Sequence, residues 1–257
     1  MTPRTARLLA LPFALAATLL RIGVEFWLKP FAWRLESGAV SSLVWAAGTA
    51  GSILAPAAGY LLLTRAVRRR PATFRVDPAG RHFTAPAAPA WAGPWSIIVS
   101  WLAGGLLLTE RVPGEDRVRF FESGDALVWN VLAVLAVLVF VVLVLLDARP
   151  RLTLDETGIT VRGLVRRRTV RWDRLLPGGP PAPAGKAAGT LVLSEQPSTP
   201  AGRPVSRSLA VGRAHVDGAF LAGSVRHYVA HPERRSAIGT APELASLGAT
   251  VSGAPDA

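Results

Sequence analysis

Four stretches of the chain are apolar for long enough to form a helix across a bilayer, and later regions alternate apolar and polar residues as strands do. A hydrocarbon core about 30 Å thick needs roughly 20 apolar residues per helix. Residues 125–146, DALVWNVLAVLAVLVFVVLVLL, meet that without an internal charge and predict the clearest span. Residues 40–64 predict another; Gly48 and Ser52 lie four apart in it, as do Ala55 and Gly59, giving small faces that a second helix can approach, and Pro56 predicts a kink. Residues 6–28 are apolar apart from Arg7, Arg21 and Glu25 and finish at Trp27 and Lys29, as an interface-anchored span would. A signal peptide cleaved after Ala14 and Ala16 is the rival reading, but the apolar stretch before them is short. Residues 91–109 predict the weakest span, with Trp91, Trp95 and Trp101 as an aromatic belt.

The loops between these stretches set an orientation. Residues 65–94 carry Arg65, Arg68, Arg69, Arg70, Arg75 and Arg81 against one acid, Asp77, whereas residues 110–124 hold more acids than bases. The positive-inside rule then puts the arginine-rich loop, both termini and everything after Leu146 in the cytoplasm. The expected organisation is a transmembrane hairpin over 1–64, a basic cytoplasmic loop with a possible β-hairpin over 65–94, a second transmembrane hairpin over 95–146, a cytoplasmic domain over 147–239 and a disordered tail over 240–257.

Beyond the last span the period changes from helix to strand. Leu152 and Leu154 alternate with polar neighbours, Asp155-Glu156-Thr157-Gly158 has turn chemistry, and Ile159 and Val161 resume the alternation. A third strand runs through Val170 and Trp172, and two more are expected at 190–194 and 208–211, beyond a Pro- and Gly-rich loop. Asp217 is a candidate N-cap for a helix whose Phe220, Leu221, Val225, Tyr228 and Val229 form one apolar stripe. Residues 70–84, RPATFRVDPAGRHFT, echo 149–161, RPRLTLDETGITV: each follows a transmembrane pair, begins Arg-Pro and places Asp three before Gly. Two readings follow: strands near Phe74 and Phe83 join the later sheet, or the segment is a juxtamembrane hairpin lying on the bilayer.

The run of strand, D-x-x-G turn, strand, basic stretch, W-D-x-L, further strands and a C-terminal helix resembles the bacterial pleckstrin-homology-like (PH-like) domains of small membrane proteins. The resemblance covers residues 149 to about 231. It implies a small bent barrel capped by its final helix; joined to the spans read above, the expected fold class is about four transmembrane α-helices plus a cytoplasmic α+β PH-like small barrel with a C-terminal helix, in the bacterial plasma membrane. Such barrels usually have seven strands, two more than the region after Leu146 supplies. The family's bacterial members are binding or assembly modules, and the resemblance implies no catalysis.

Charge and chemistry narrow the function further. The 257 residues carry a formal charge of +12, almost all from arginine. Arg162, Arg166, Arg167, Arg168, Arg171 and Arg174 crowd one hairpin near the inner leaflet, where anionic lipid attracts basic residues by about 1 kcal/mol each. They are the candidate site for anionic lipid head groups or a partner protein. Charge protecting a solvated strand edge is the plainer alternative. The acidic turn Asp155-Glu156 argues against phosphoinositide specificity of the eukaryotic kind. Nucleic acid is not an expected partner, because basic residues also gather beside membrane helices.

Cysteine is absent, which removes thiolate metal sites and cysteine nucleophiles. His227 and His231 stand one helical turn apart without a carboxylate at suitable spacing, so no metal or other cofactor is expected, and no catalytic constellation is found. Arg21 and Glu25, four apart, form an expected intramembrane ion pair. The alternative function, a small transporter or channel component, would rest on that pair.

Overall fold

The computed structural model describes residues 1–107, 109–112, 115, 118–120, 125–147, 149–163, 166–183, 190–196 and 205–252. It divides into two compact units: unit 1 is Met1–Arg68 with Pro89–Asp147, and unit 2 is Arg69–Ala88 with Ala148–Ala257.

Unit 1 is helical. Its elements are α1 (Pro3–Trp33), α2 (Gly38–Leu63), α3 (Pro89–Gly104) and α4 (Ala126–Leu146), with a short hairpin pairing Thr109–Arg111 with Val118–Phe120. Three stretches among the described residues, α1, α2 and Leu127–Leu146, are long and apolar enough to cross a membrane. The fourth expected span, α3, has 16 residues, about 24 Å of helix. Its buried positions are mostly small or hydroxylic: Ala92, Gly93, Ser96, Ser100, Ala103 and Gly104. They let α3 pack closely against α1, α2 and α4. The small faces of α2 are also used, since Phe13 packs on Gly59 and Leu28 on Gly48. Tyr60, fully buried, lies within hydrogen-bonding reach of the carbonyls of Ala6 and Pro89 at 3.2 and 3.0 Å, fastening α2 to both chain segments. Large apolar side chains such as Leu43, Leu54, Leu62, Leu132, Leu135, Val139 and Leu143 point outward and stay exposed.

Unit 2 holds seven strands among the described residues. Five form an antiparallel sheet in the order β1 (Arg75–Asp77), β2 (His82–Ala85), β3 (Leu152–Leu154), β4 (Gly158–Arg162) and β5 (Arg167–Arg171). A second sheet pairs β6 (Leu191–Glu195) with β7 (Val205–Leu209). After β5 the chain bridges Leu175 to Glu195 of β6, and the segments that follow β2 and β7 bridge at Ala87 and Ala214. The strands echoed at 70–84 thus complete the later sheet, with Phe83 opposite Leu154. Phe74 stacks on Phe83 at 5.9 Å, and both are buried with Leu152, Leu154, Ile159 and Val170. Burial of each such side chain contributes about 1.5–3 kcal/mol.

Helix α5 (Gly218–Ala230) starts where Asp217 accepts a hydrogen bond from the Phe220 amide at 2.9 Å, and it sets Phe220, Leu221, Val225 and Tyr228 into this core. The expectation of a disordered tail over 240–257 is corrected over most of its length. Residues Ala241–Ser252 form helix α6, whose Leu247 is fully buried in the core, with Leu244 and Val251 packed beside it. Residues 253–257 of that expected tail lie outside the described residues.

Candidate binding surface

The β4–β5 hairpin carries the candidate arginines, and its register separates them. Ile159, Val161 and Val170 face the core, while the Thr160 and Thr169 hydroxyls meet at 2.9 Å on the opposite face. Arg162 stands directly opposite Arg167, two like charges side by side where strands prefer opposite ones. Arg168 pairs across to Val161, and Arg166 closes the turn by accepting from the Gly163 amide at 2.8 Å. Arg166, Arg167 and Arg168 are exposed. Arg171 lies opposite Gly158, at the other end of the hairpin, four residues or about 13 Å from Arg167. Gly158 is required there because a Cβ would strike the Val170 carbonyl and the Arg171 backbone.

The end with Arg162 and Arg166–Arg168 is also where the chain enters and leaves unit 2. Ala85 accepts from the Arg151 amide, Arg151 from the Arg162 amide, and Arg213 from the Ala88 amide. Three further arginines gather at this end. Arg151 is buried and donates to the Gly163 carbonyl at 3.0 Å, Arg70 donates to Gly212 at 3.1 Å, and Arg213 lies next to Gly163. They are distant in the chain, and the only sequence sign of them is the repeated Arg-Pro before each hairpin.

The opposite end is built from acids as well as bases. Asp77 Oδ1 accepts from the Ala79 and Gly80 amides, and Asp155 Oδ1 accepts from the Thr157 and Gly158 amides, so both D-x-x-G turns are held the same way. Trp172 donates to the Asp155 carbonyl at 2.8 Å, and this explains why a W-D-x-L run follows the hairpin. Arg171 is clamped by both oxygens of Asp173, at 3.1 and 2.9 Å, and this hydrogen bonding holds the Asp173 carboxyl below its usual range. Arg174 shares a shallow cleft with Arg171 and Glu195.

The His227 and His231 rings stack at 4.7 Å, and His227 Nε2 lies 3.8 Å from Glu243 Oε1 of α6. Burial lowers the His227 pKa, with His231 adding to the effect. Among the described residues no group of three histidine or acid side chains could hold a metal ion. In unit 1 the Arg21–Glu25 pair forms at 2.6 Å, and Lys29 binds the other Glu25 oxygen at 3.0 Å. The Arg21 guanidinium lies 5.3 Å from the Trp101 ring centre. Glu25 sits in a π-helical turn, Val24–Leu28, that brings Thr109 within 3.4 Å of its carboxylate.

Residues 149–176 match the bacterial PH domain family. The match takes in β3, β4, β5 and the Trp172–Arg174 turn, so the hairpin that carries the arginines is PH-like. Over 94 residues the chain is 37% identical to an uncharacterized protein of Mycobacterium bovis and to two uncharacterized proteins from strains of Mycobacterium tuberculosis. The similarity covers 35% of this chain and 56% of each relative, so the chain spans little more than half the length of those proteins. No solved structure matches.

Proposed function

We propose that the chain is a multi-pass protein of the bacterial inner membrane whose PH-like unit is a cytoplasmic binding module, non-enzymatic, docking on the anionic inner leaflet. The observation that carries this reading is the end of unit 2 where the chain enters and leaves. At that end Arg162 and Arg167 sit side by side on one face of the hairpin and Arg168 lies on the other face beside Val161, with Arg166 at the turn, and among the described residues no acid stands opposite them in the register. Like charges in register destabilise a hairpin unless an anionic surface offsets them. Four spans, with α3 as the shortest, and cytoplasmic termini agree with the arginine-rich 65–94 segment.

The transport alternative draws on Arg21 and Glu25. Those groups close on each other, on Lys29 and on Thr109, which supports an anchoring role for the π-helical turn.

The test uses the full chain in lipid nanodiscs. Amides of β4 and β5 should exchange more slowly in phosphatidylglycerol discs than in phosphatidylcholine discs, and salt should abolish the difference. Equal exchange in both lipids at low salt would defeat leaflet docking and leave an acidic protein partner as the reading to pursue.

A further inference from the structure

The end of unit 2 away from the chain crossings holds a cleft of about 240 Å³, lined by Gly80, Arg81, Asp155, Glu156, Thr157, Ser236 and Ile238. It is assembled from three separate pieces of chain: the β1–β2 turn, the β3–β4 turn and the short 3₁₀ segment Pro232–Ala237 with the residues after it. Each piece is fixed. The two aspartates tie their own turns through backbone amides. Gly239, at φ +90°, lies so close to the Arg81 and His82 backbone that a Cβ there would overlap it. Arg81 itself sits at φ +48°, a left-handed conformation unusual for a side chain of its size. Strained non-glycine residues of this kind persist where the surroundings enforce them, and they cluster at ligand sites.

The charges in this cleft do not satisfy one another. Arg81 and Glu156 are both exposed, and neither makes an ion pair or side-chain hydrogen bond among the described residues. Asp155 commits Oδ1 to its turn, and its second oxygen has no partner among those residues. A guanidinium from one turn and two carboxylates from the other therefore line one small space, with the Thr157 and Ser236 side chains beside them. The cleft is below the usual volume of drug-sized pockets, which run from about 300 Å³ upward.

We propose that this cleft binds a small zwitterion, an ammonium group joined by a short linker to a phosphate or carboxylate. Arg81 receives the anion and Glu156 and the free oxygen of Asp155 receive the ammonium, while the Thr157 and Ser236 hydroxyls, whose protons go to Asp155 Oδ1 and the Glu233 carbonyl, can only accept from the ammonium. A simple anion would meet the two carboxylates, and a simple cation would meet Arg81. Only a ligand carrying both charges satisfies the set. The site is independent of leaflet docking, which uses the other end of the unit. A free metabolite is the source this placement favours, because the leaflet docks at the opposite end of the unit.

The experiment titrates O-phosphoethanolamine and glycine into the full chain in phosphatidylglycerol nanodiscs by calorimetry, with inorganic phosphate and ethylammonium as single-charge controls. Saturable binding of at least one zwitterion in the millimolar range or tighter is expected, with both controls weaker. Arg81→Gln and Glu156→Gln, on different hairpins, should each weaken binding by about tenfold or more. Repeating the titration in discs containing phosphatidylethanolamine should leave the affinity unchanged; competition would overturn the assignment to a free metabolite. Binding of phosphate or ethylammonium as tight as that of the zwitterions would overturn the proposal. So would failure of both zwitterions to bind, or wild-type affinity in both variants.

Discussion

At one end of the β4–β5 hairpin Arg162 faces Arg167, with Arg166 and Arg168 beside them; at the other, Arg171 faces a glycine and is held by Asp173. Sequence distance hides this division, because residues 166 to 174 read as one basic run. Antiparallel pairing sends the run along the full length of the unit. The lesson is that an arginine's neighbours across the strand decide what it can do. Arg162, Arg166, Arg167 and Arg168 face no acid across the hairpin among the described residues and are available to an anionic surface, while Arg171 is already held by Asp173.

The largest expected effect removes both ends together. Phe83 is fully buried in a strand inside the sheet, so Phe83→Ala should cost about 3–5 kcal/mol. Both D-x-x-G turns and the arginine end should lose exchange protection in parallel. Loss at one end alone would break the picture of one shared core.

Next comes the crossing end by itself. Replacing Arg166, Arg167 and Arg168 with glutamine should weaken docking on anionic discs by roughly 3 kcal/mol, at about 1 kcal/mol per residue. Thermal stability in detergent should hold or rise slightly, since all three are exposed and position 167 no longer sets a like charge opposite Arg162. Unchanged docking would move the site elsewhere.

A change confined to the other end sharpens the contrast. Gly239→Ala places a side chain at φ +90° and against the Arg81 backbone, which should cost on the order of 1–3 kcal/mol and loosen the β1–β2 turn. Docking on anionic vesicles should survive it.

Smaller still is a dependence on pH. Burial lowers the pKa of His215, with Arg75 and Arg70 adding to the shift, and burial lowers that of His227. Below about pH 6.5 the unfolded chain takes up protons that these folded histidines resist, so stability should fall as pH drops from 7 to 5. His227→Gln and His215→Gln should each flatten the decline seen in unfolding midpoints across that range.

Much of unit 1 was legible because an apolar helix declares itself locally: Val131 to Leu146 needs nothing else to be read as a span. The helix α3 was the hardest to read there, since its Gly93, Ser96 and Ser100 serve contact with other helices and dilute its hydropathy. In unit 2 the β3–β4 hairpin was plain from alternation and the Asp155 turn. The contribution of β1 and β2 could be expected only through the repeated Arg-Pro and D-x-x-G, because three or four residues per strand carry little pattern alone. Helix α6 was missed as its Ala, Ser and Gly content looks turn-prone, although Leu244, Leu247 and Val251 have helical spacing. Arg70, Arg151 and Arg213 could not be grouped without knowing which strands pair.

The absence of cysteine makes a direct test simple. A single label at Arg166→Cys reports the crossing end, and one at Glu156→Cys reports the other. In phosphatidylglycerol nanodiscs with a head-group-borne quencher, the label at position 166 should be quenched strongly and that at 156 weakly, with salt removing the difference. Equal quenching at both positions, or quenching at 166 that is indifferent to lipid charge and salt, would contradict docking through the arginine end.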